Sequence, residues 1–355
     1  MEPKQGGDIT DMHSRRMARW TLALIALVLG LFGSIVICLC FGTVYISPQR
    51  VFEILFGLST DATSTEIIII QQVRLPRIML AGVVGACLSI AGVALQGIFK
   101  NPMASPSVIG ISQGAAFGAS LTLVFGFSLA SGDFAIPAMA FLFAMITLVI
   151  VYMLGRVEGY IPTTTLLLAG IAVGAFFSAM TSLLQILAAQ GSTETMSQVV
   201  FWLMGGLNRA NWDQFWIVLA FLIPGFILLF AFSRDLNAMI VGEAHATSLG
   251  VDPKTTTKIM LAGSALVTGA AVAFTGIIAF VGLMVPHIMR MVIGPDNRIL
   301  FPASLLAGAI FLIVTDTVAR TIMAPQELPV GIITAILGGP FFLYLLRRKK
   351  EATEW

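Results

Sequence analysis

Charge is what this chain has least of. Asp, Glu, Lys and Arg make up 11% of the residues, against about 25% in an ordinary soluble domain. Hydrophobic residues make up 57% and the mean hydropathy is +0.95. So few charges cannot clothe a water-facing surface, which excludes a soluble enzyme and places the chain in a bilayer. The formal net charge is only +2, so no basic field remains to neutralise phosphates and nucleic acid is excluded as a partner.

Cysteine and histidine are equally sparse. Cys38, Cys40 and Cys87 lie in apolar segments as small buried thiols, not as a disulfide framework. His13, His245 and His287 stand far apart, with no Cys or Glu at ligand spacing, so neither a metal site nor a cofactor is expected. A phosphate-cradling G-x-x-x-x-G-K-[ST] is missing, so the chain cannot hold ATP by itself. Paired broken helices of an inverted repeat are not visible either, which counts against an ion-coupled secondary transporter.

Long apolar runs are what the sequence does have. A membrane-spanning helix needs about 20 mostly apolar residues. Such runs fall at roughly 20–45, 78–99, 108–130, 134–154, 164–189, 214–232, 259–281, 276–294, 299–315 and 328–346. The eighth is short, carries His287 and Arg290, and starts at the Gly276 break. The first follows Arg15, Arg16 and Arg19 like a secretory signal, but it is too long and lacks a small-residue cleavage site, so it reads as a retained span. The expectation is an all-α polytopic protein. It has a tail at 1–19, one ten-helix membrane domain over 20–346 and a tail at 347–355.

Lys and Arg placement sets the orientation. With both termini inside, fifteen of the 20 basic residues fall in inner segments; Arg50, Arg74, Arg77, Arg209 and Arg320 are the outer five. Both tails are therefore expected in the cytoplasm, and the protein in the cytoplasmic membrane.

A literal G-x-S-x-G, Gly110 to Gly114 around Ser112, would mark a hydrolase nucleophile if a strand preceded it. A Pro-broken loop precedes it instead. Gly110, Gly114 and Gly118 recur every four residues, as do Ala81, Gly85 and Ser89, and Gly170, Gly174, Ser178 and Ser182. Small residues at that spacing let helix backbones approach where lipid gives no hydrophobic drive. No catalytic residue is expected. Asp316 and Arg320, four apart in the ninth span, could form a local pair.

The longest inner loop, "SRDLNAMIVGEAHATSLGVDPKTTTK" (233–258), reads as two short helices closed by Gly242 and Gly250. Leu236, Met239 and Ile240 give the first an apolar edge, and Ala244 and Leu249 mark the second. Such a pair suits insertion into a partner's groove.

Several stretches taken together resemble a known family. They are "RLPRIMLAGVVGACLSIAGVALQGIFKNPMASPSVIGISQGAAFGA" (74–119), "TTTLLLAGIAVGA" (163–175), "GEAHATSLGV" (242–251), "FVGLMVPHIMRMVIGPDNRILFPASLLAGAIFLIVTDTVAR" (280–320) and "ELPVGIITAILGGPFFLYLL" (327–346). They look like the permease subunit of the iron-chelate and cobalamin ABC importers, the FecCD or BtuC-type family. R-L-P-R, then L-Q-G, then N-P-x-A-x-P in order is specific, and the likeness spans about 40–346.

The resemblance implies a homodimer with the path on its two-fold axis, a cytoplasmic ATPase dimer beneath it and an extracytoplasmic binding protein above. Arg74, Arg77 and Arg320 match the family's binding-protein docking arginines. Asn101 and Met103, with Thr163 and Thr164, match its cytoplasmic gate. Gly242, Glu243 and Gly250 match its coupling element, to which Leu236, Met239 and Leu249 belong. Phe176, Met180, Thr181 and Leu184, with Gln185, would line the path. The expected cargo is an iron(III)-siderophore-type metal chelate, with cobalamin, haem and molybdate as alternatives.

Overall fold

The computed structural model describes residues 5–42, 44–58, 63–126, 134–157 and 161–351. Among them the regular elements are helices, with no strand. Backbone N–H and C=O groups inside a bilayer must be satisfied within the segment, so helices form wherever the apolar runs are long enough.

α1 (Gln5–Cys40) reaches back through the expected N-terminal tail. Two short helices follow, α2 (Pro48–Leu55) and α3 (Ser64–Ile68). A π-helical stretch at Ile69–Arg74 then leads without a break into α4 (Leu75–Ile98). A 3₁₀ turn (Pro106–Ile109) precedes α5 (Ile111–Phe125), and α6 (Ala135–Gly155) and α7 (Thr163–Gly191) come next. α8 (Thr193–Met204) and α9 (Trp212–Ala231) lead to the inner-loop helices α10 (Ser233–Val241) and α11 (Glu243–Ser248). The chain ends with α12 (Pro253–Thr275), α13 (Val281–Ile293), α14 (Asn297–Thr321) and α15 (Val330–Glu351).

Among the described residues seven helical segments are long and apolar enough to cross a membrane, α3 to α4 counting as one (Ser64–Ile98), and α5, α13 and the apolar part of α15 (Val330–Leu345) are shorter. The ten stand where ten runs were expected. α13 does start late: Gly276 (φ +70°) and Phe280 (φ +67°) hold residues 276–280 out of helix. That irregular backbone is tolerable because it lies against protein. Gly276 backs onto the Trp202 carbonyl, and Gly206 N–H donates to Thr275 O at 2.8 Å.

α4 is the buried axle, covered by α14, α12, α13 and α9. A Cβ on Gly85 would collide with the Gly308 carbonyl of α14, and one on Gly92 with the Gly282 carbonyl of α13. Gly114 and Gly118 meet α6 in the same way, at Thr147, Phe143 and Met139. Gly110 departs from the expected stripe. It sits just before α5 at φ +84°, turning the chain out of the 3₁₀ segment, with Gly170 and Gly174 against it. The α7 stripe divides as well: Gly170 and Gly174 are buried, while Ser178 and Ser182 are exposed. Ser112 follows the 3₁₀ turn and not a strand, so it sits on no nucleophile elbow.

Candidate functional site

The inner-loop pair α10–α11 is built in two halves, one fastened and one presented. Leu236 and Met239 were expected to form the presented edge; instead both are buried. Leu236 is seated on Gly97 at the end of α4, where any Cβ would strike it. Asn237 adds a polar latch. Its Nδ2 donates to Asp296 Oδ1 at 2.8 Å, and its Oδ1 accepts from Asn297 N–H and Nδ2 at 2.9 and 2.8 Å. α10 therefore grips the C-terminal end of α4 and the N-terminal end of α14 together. Burial opposes the charge on Asp296, but donors from Arg298 and Asn237 outweigh it and hold the carboxyl down at about 2.

α11 is closed by Gly250 at φ +83°. Val251 N–H bonds Ala246 O and Gly250 N–H bonds Thr247 O, both at 3.0 Å. That is the paired Schellman arrangement that a left-handed glycine permits. Gly242, by contrast, is simply extended (φ 165°). Ala246 anchors α11, leaving Val241 (73% exposed) and Leu249 (63%) as the projecting apolar side chains, beside exposed Glu243 and Ala244. Val241 was missed in the sequence because it ends an apolar run that otherwise turns inward.

The residues expected to form the gate lie on two separate elements. Asn101 Oδ1 accepts from Met103 N–H at 3.0 Å, shaping the loop between α4 and the 3₁₀ turn, and both side chains are half-buried. Thr163 opens α7 and is half-buried; Thr164 is exposed. Among the described residues no hydrogen bond joins Asn101 or Met103 to Thr163 or Thr164. The loop meets α7 higher up, where Val108 and Ile109 lie against Gly170.

The three arginines expected on the outer face, to meet a binding protein, are buried within the chain. Arg74, Arg77 and Arg320 are 3%, 8% and 5% exposed. Arg74 donates to Leu39 O (2.7 Å), Cys40 O (3.3 Å) and Val44 O, and Arg320 donates to Cys38 O at 2.7 Å. Together they satisfy the last carbonyls of α1, where the helix dipole is negative. Arg77 forks onto Asp316, Nε to Oδ2 and Nη2 to Oδ1 both at 2.9 Å, and its Nη1 reaches Glu327 at 2.7 Å. The expected Asp316–Arg320 pair is thus replaced by Asp316–Arg77, across two helices. Arg74 ends the π-helical stretch and Arg77 stands in the first turn of α4, and their guanidiniums go to different partners, one to α1 and one to α14.

Near Arg77, Arg209 is exposed and Glu327 is part-exposed. Both line a cavity of about 270 Å³ that also takes in Arg77, Gln198 and Asn208.

The wall expected on α7 splits into two faces. Thr181 and Leu184 are buried inside the protomer, with the Thr181 hydroxyl on Phe177 O at 2.8 Å. Phe176 is 58% exposed, and Met180 and Gln185 are half-buried. Of the expected residues the open face keeps Phe176, and it runs on through Leu168, Ile171, Ala175, Ser178, Ala179, Ser182 and Leu183.

Comparison with known proteins gives one picture. The family model of the FecCD transport family matches residues 26–348. The chain is 44% identical to the cobalamin import system permease protein BtuC of Halobacterium salinarum, over 82% of this chain and 77% of that one. It is 37% identical to the hemin transport system permease protein HmuU of Yersinia pestis, over 92% and 96%. A solved inward-facing conformation of a metal-chelate type ABC transporter superposes with TM-score 0.80 at 33% identity, covering 92% of this chain and 98% of that one. With this helix order, the fastened inner-loop pair and a match along nearly the whole length, the chain belongs to the FecCD transport family, as a multi-pass permease of ABC importers.

Proposed function

We propose that this permease carries an iron(III)-siderophore-type metal chelate, as a homodimer driven by a separate ATPase dimer and supplied by an extracytoplasmic binding protein. One observation supports the energetic part above all: α10 is fastened to α4 and α14 while Val241 and Leu249 project uncovered. Buried anchors below projecting apolar side chains suit a helix pair that seats in a partner's groove and passes its movement on. ATP binding on the partner closes it, α10–α11 shift, and the Asn101–Met103 and Thr163–Thr164 ends of the path change population. Both termini face the cytoplasm on the positive-inside bias. Exposed Arg209, with Glu327, supplies rim charge for the binding protein, of the kind that sets register and on-rate.

The open α7 face supports the cargo class. It carries no charge, and its hydrogen-bonding groups are few, chiefly the hydroxyls of Ser178 and Ser182, so a bare ion would find few ligands there, whereas a bulky chelate that hides its own metal could slide past. Named relatives carry cobalamin and hemin, which are also metals wrapped in organic ligands. The test is uptake into vesicles holding permease, ATPase and binding protein. ATP-dependent entry of a ferric siderophore, with cobalamin, haem and molybdate excluded, supports the reading. Entry of one of those three instead replaces the cargo, and accumulation by the permease alone removes the mechanism.

A further inference from the structure

The inner ends of α1 and α13 enclose a groove that the transport reading leaves without a use. Its floor and walls are apolar, from Leu22, Ala23 and Ala26 on α1 to Val292 and Ile293 on α13, in a cavity of about 870 Å³. Its mouth is basic. Arg16 and Arg19 are exposed there, and the Arg16 guanidinium lies 4.6 Å from the Trp20 ring centroid. The Arg298 guanidinium lies 6.0 Å from the same centroid. Trp20 Nε1 donates to Ile293 O at 3.4 Å, which fixes the indole at the end of α13 and spans the two helices.

The charges at this mouth do not cancel. Among the described side chains Asp296 is the acidic group there, and it is already occupied by Arg298 at 2.7 Å, Arg16 at 3.4 Å and Asn237. Among the described side chains three guanidiniums, Arg16, Arg19 and Arg298, thus stand around this mouth against one carboxylate, and the surplus faces a slot that runs down between two helices. A soluble anion could use the mouth but not the slot, and a zwitterionic lipid could use the slot but would bring its own cation to the mouth.

We propose that this groove is a binding site for one anionic glycerophospholipid, its phosphate against Arg16 and Arg19 beside Trp20 and an acyl chain along Ala23, Ala26 and Val292. Clustered basic side chains between spanning helices at the membrane surface recognise anionic headgroups in this way. The bound lipid would brace the loop holding Asp296, to which α10 is latched.

The test measures lipid occupancy and not transport, so its result is independent of the cargo and the ATPase. Full-length permease is reconstituted with equal amounts of phosphatidylglycerol and phosphatidylcholine, re-extracted, and its retained lipids counted by native mass spectrometry. The site requires phosphatidylglycerol to be retained well above phosphatidylcholine, and not to be displaced by millimolar inorganic phosphate or glycerol phosphate. Arg16→Gln with Arg19→Gln should lower its affinity about thirtyfold, the ratio given by about 1 kcal/mol for each of two surface arginines. Ala26→Trp should abolish retention with both arginines in place. Equal retention of the two lipids by the unmodified protein overturns the proposal, as does displacement by free phosphate. Unchanged retention in the Ala26→Trp variant also overturns it, whatever the arginine variant does.

Discussion

Arg77 and Asp316 show how much one residue's surroundings decide. Both lie in spanning helices and both are buried, so each is tolerable only because the other satisfies it; removing one partner of such a pair leaves an uncompensated charge. Asp316→Asn should therefore lower stability by about 3 kcal/mol, the low end for a broken buried pair, because Glu327 still holds Arg77 Nη1. Thermal unfolding in detergent would show this as a clear drop in midpoint, while Arg209→Gln on the exposed rim leaves the midpoint unchanged. The two glycine-rich positions near Ser112 give a matching contrast. Ser112→Ala removes one hydroxyl and should leave transport and stability nearly intact. Gly114→Leu drives a side chain into Thr147 and Phe143 and should cost about 3 kcal/mol or more, the upper range for an overpacked core. A serine nucleophile at 112 would reverse that order.

At the scale of elements, the inner-loop pair separates what the sequence reveals from what it hides. Two short helices and the Gly250 stop were legible, since a left-handed glycine after an apolar turn is a local signal. Which apolar residues face the protein was not legible. A nine-residue helix with Leu236, Met239, Ile240 and Val241 offers apolar groups to both sides, and only the emptiness of Gly97 decides that Leu236 goes inward. The Asn237 latch was invisible for a similar reason: its partners lie about sixty residues on, and no local pattern announces them. The arginine pairings were hidden for the same cause, whereas the ten apolar runs were plain because a bilayer imposes length and composition directly.

The latch carries its own expectations. Asn237→Ala should leave ATPase activity of the assembled importer present but lower the cargo moved per ATP severalfold; an unchanged ratio would dismiss Asn237 as a transmitter. Leu249→Asp should instead weaken capture of the ATPase subunit itself, read by co-purification. Acidity should bear on the latch only at extremes. The Asp296 carboxyl is held below its ordinary value, at about 2, so its contribution is complete above about pH 4 and is lost as pH falls toward 2. A coupling ratio that varied between pH 6 and 8 would have to come from another group.

For the whole molecule, the open α7 face is the feature that one chain alone leaves unexplained. If a second copy faces it across a path, Ala175→Cys should form a cross-chain disulfide under mild oxidation and stop uptake. Ala179→Trp should obstruct the cargo without altering the melting midpoint. Cysteine at Ala144, buried inside the protomer, is the control that should not cross-link. Failure of Ala175→Cys to bridge, alongside normal uptake by Ala179→Trp, would move the path elsewhere.

α1 lies along α14 with most of its apolar part, Arg16–Cys40, uncovered by the chain, yet that part is tied at two points: Trp20 to the Ile293 carbonyl, and the carbonyls near Leu39 to Arg74 and Arg320. Helical rise over that stretch gives about 28 Å, close to the thickness of a hydrocarbon layer at about 30 Å. The helix is thus a fixed gauge, unable to lean freely when the surrounding sheet of lipid thins or swells. In vesicles of short-chain lipid, the misfit should be felt first at those two moorings, and through Arg16 and Asp296 it would reach the loop that grips α10.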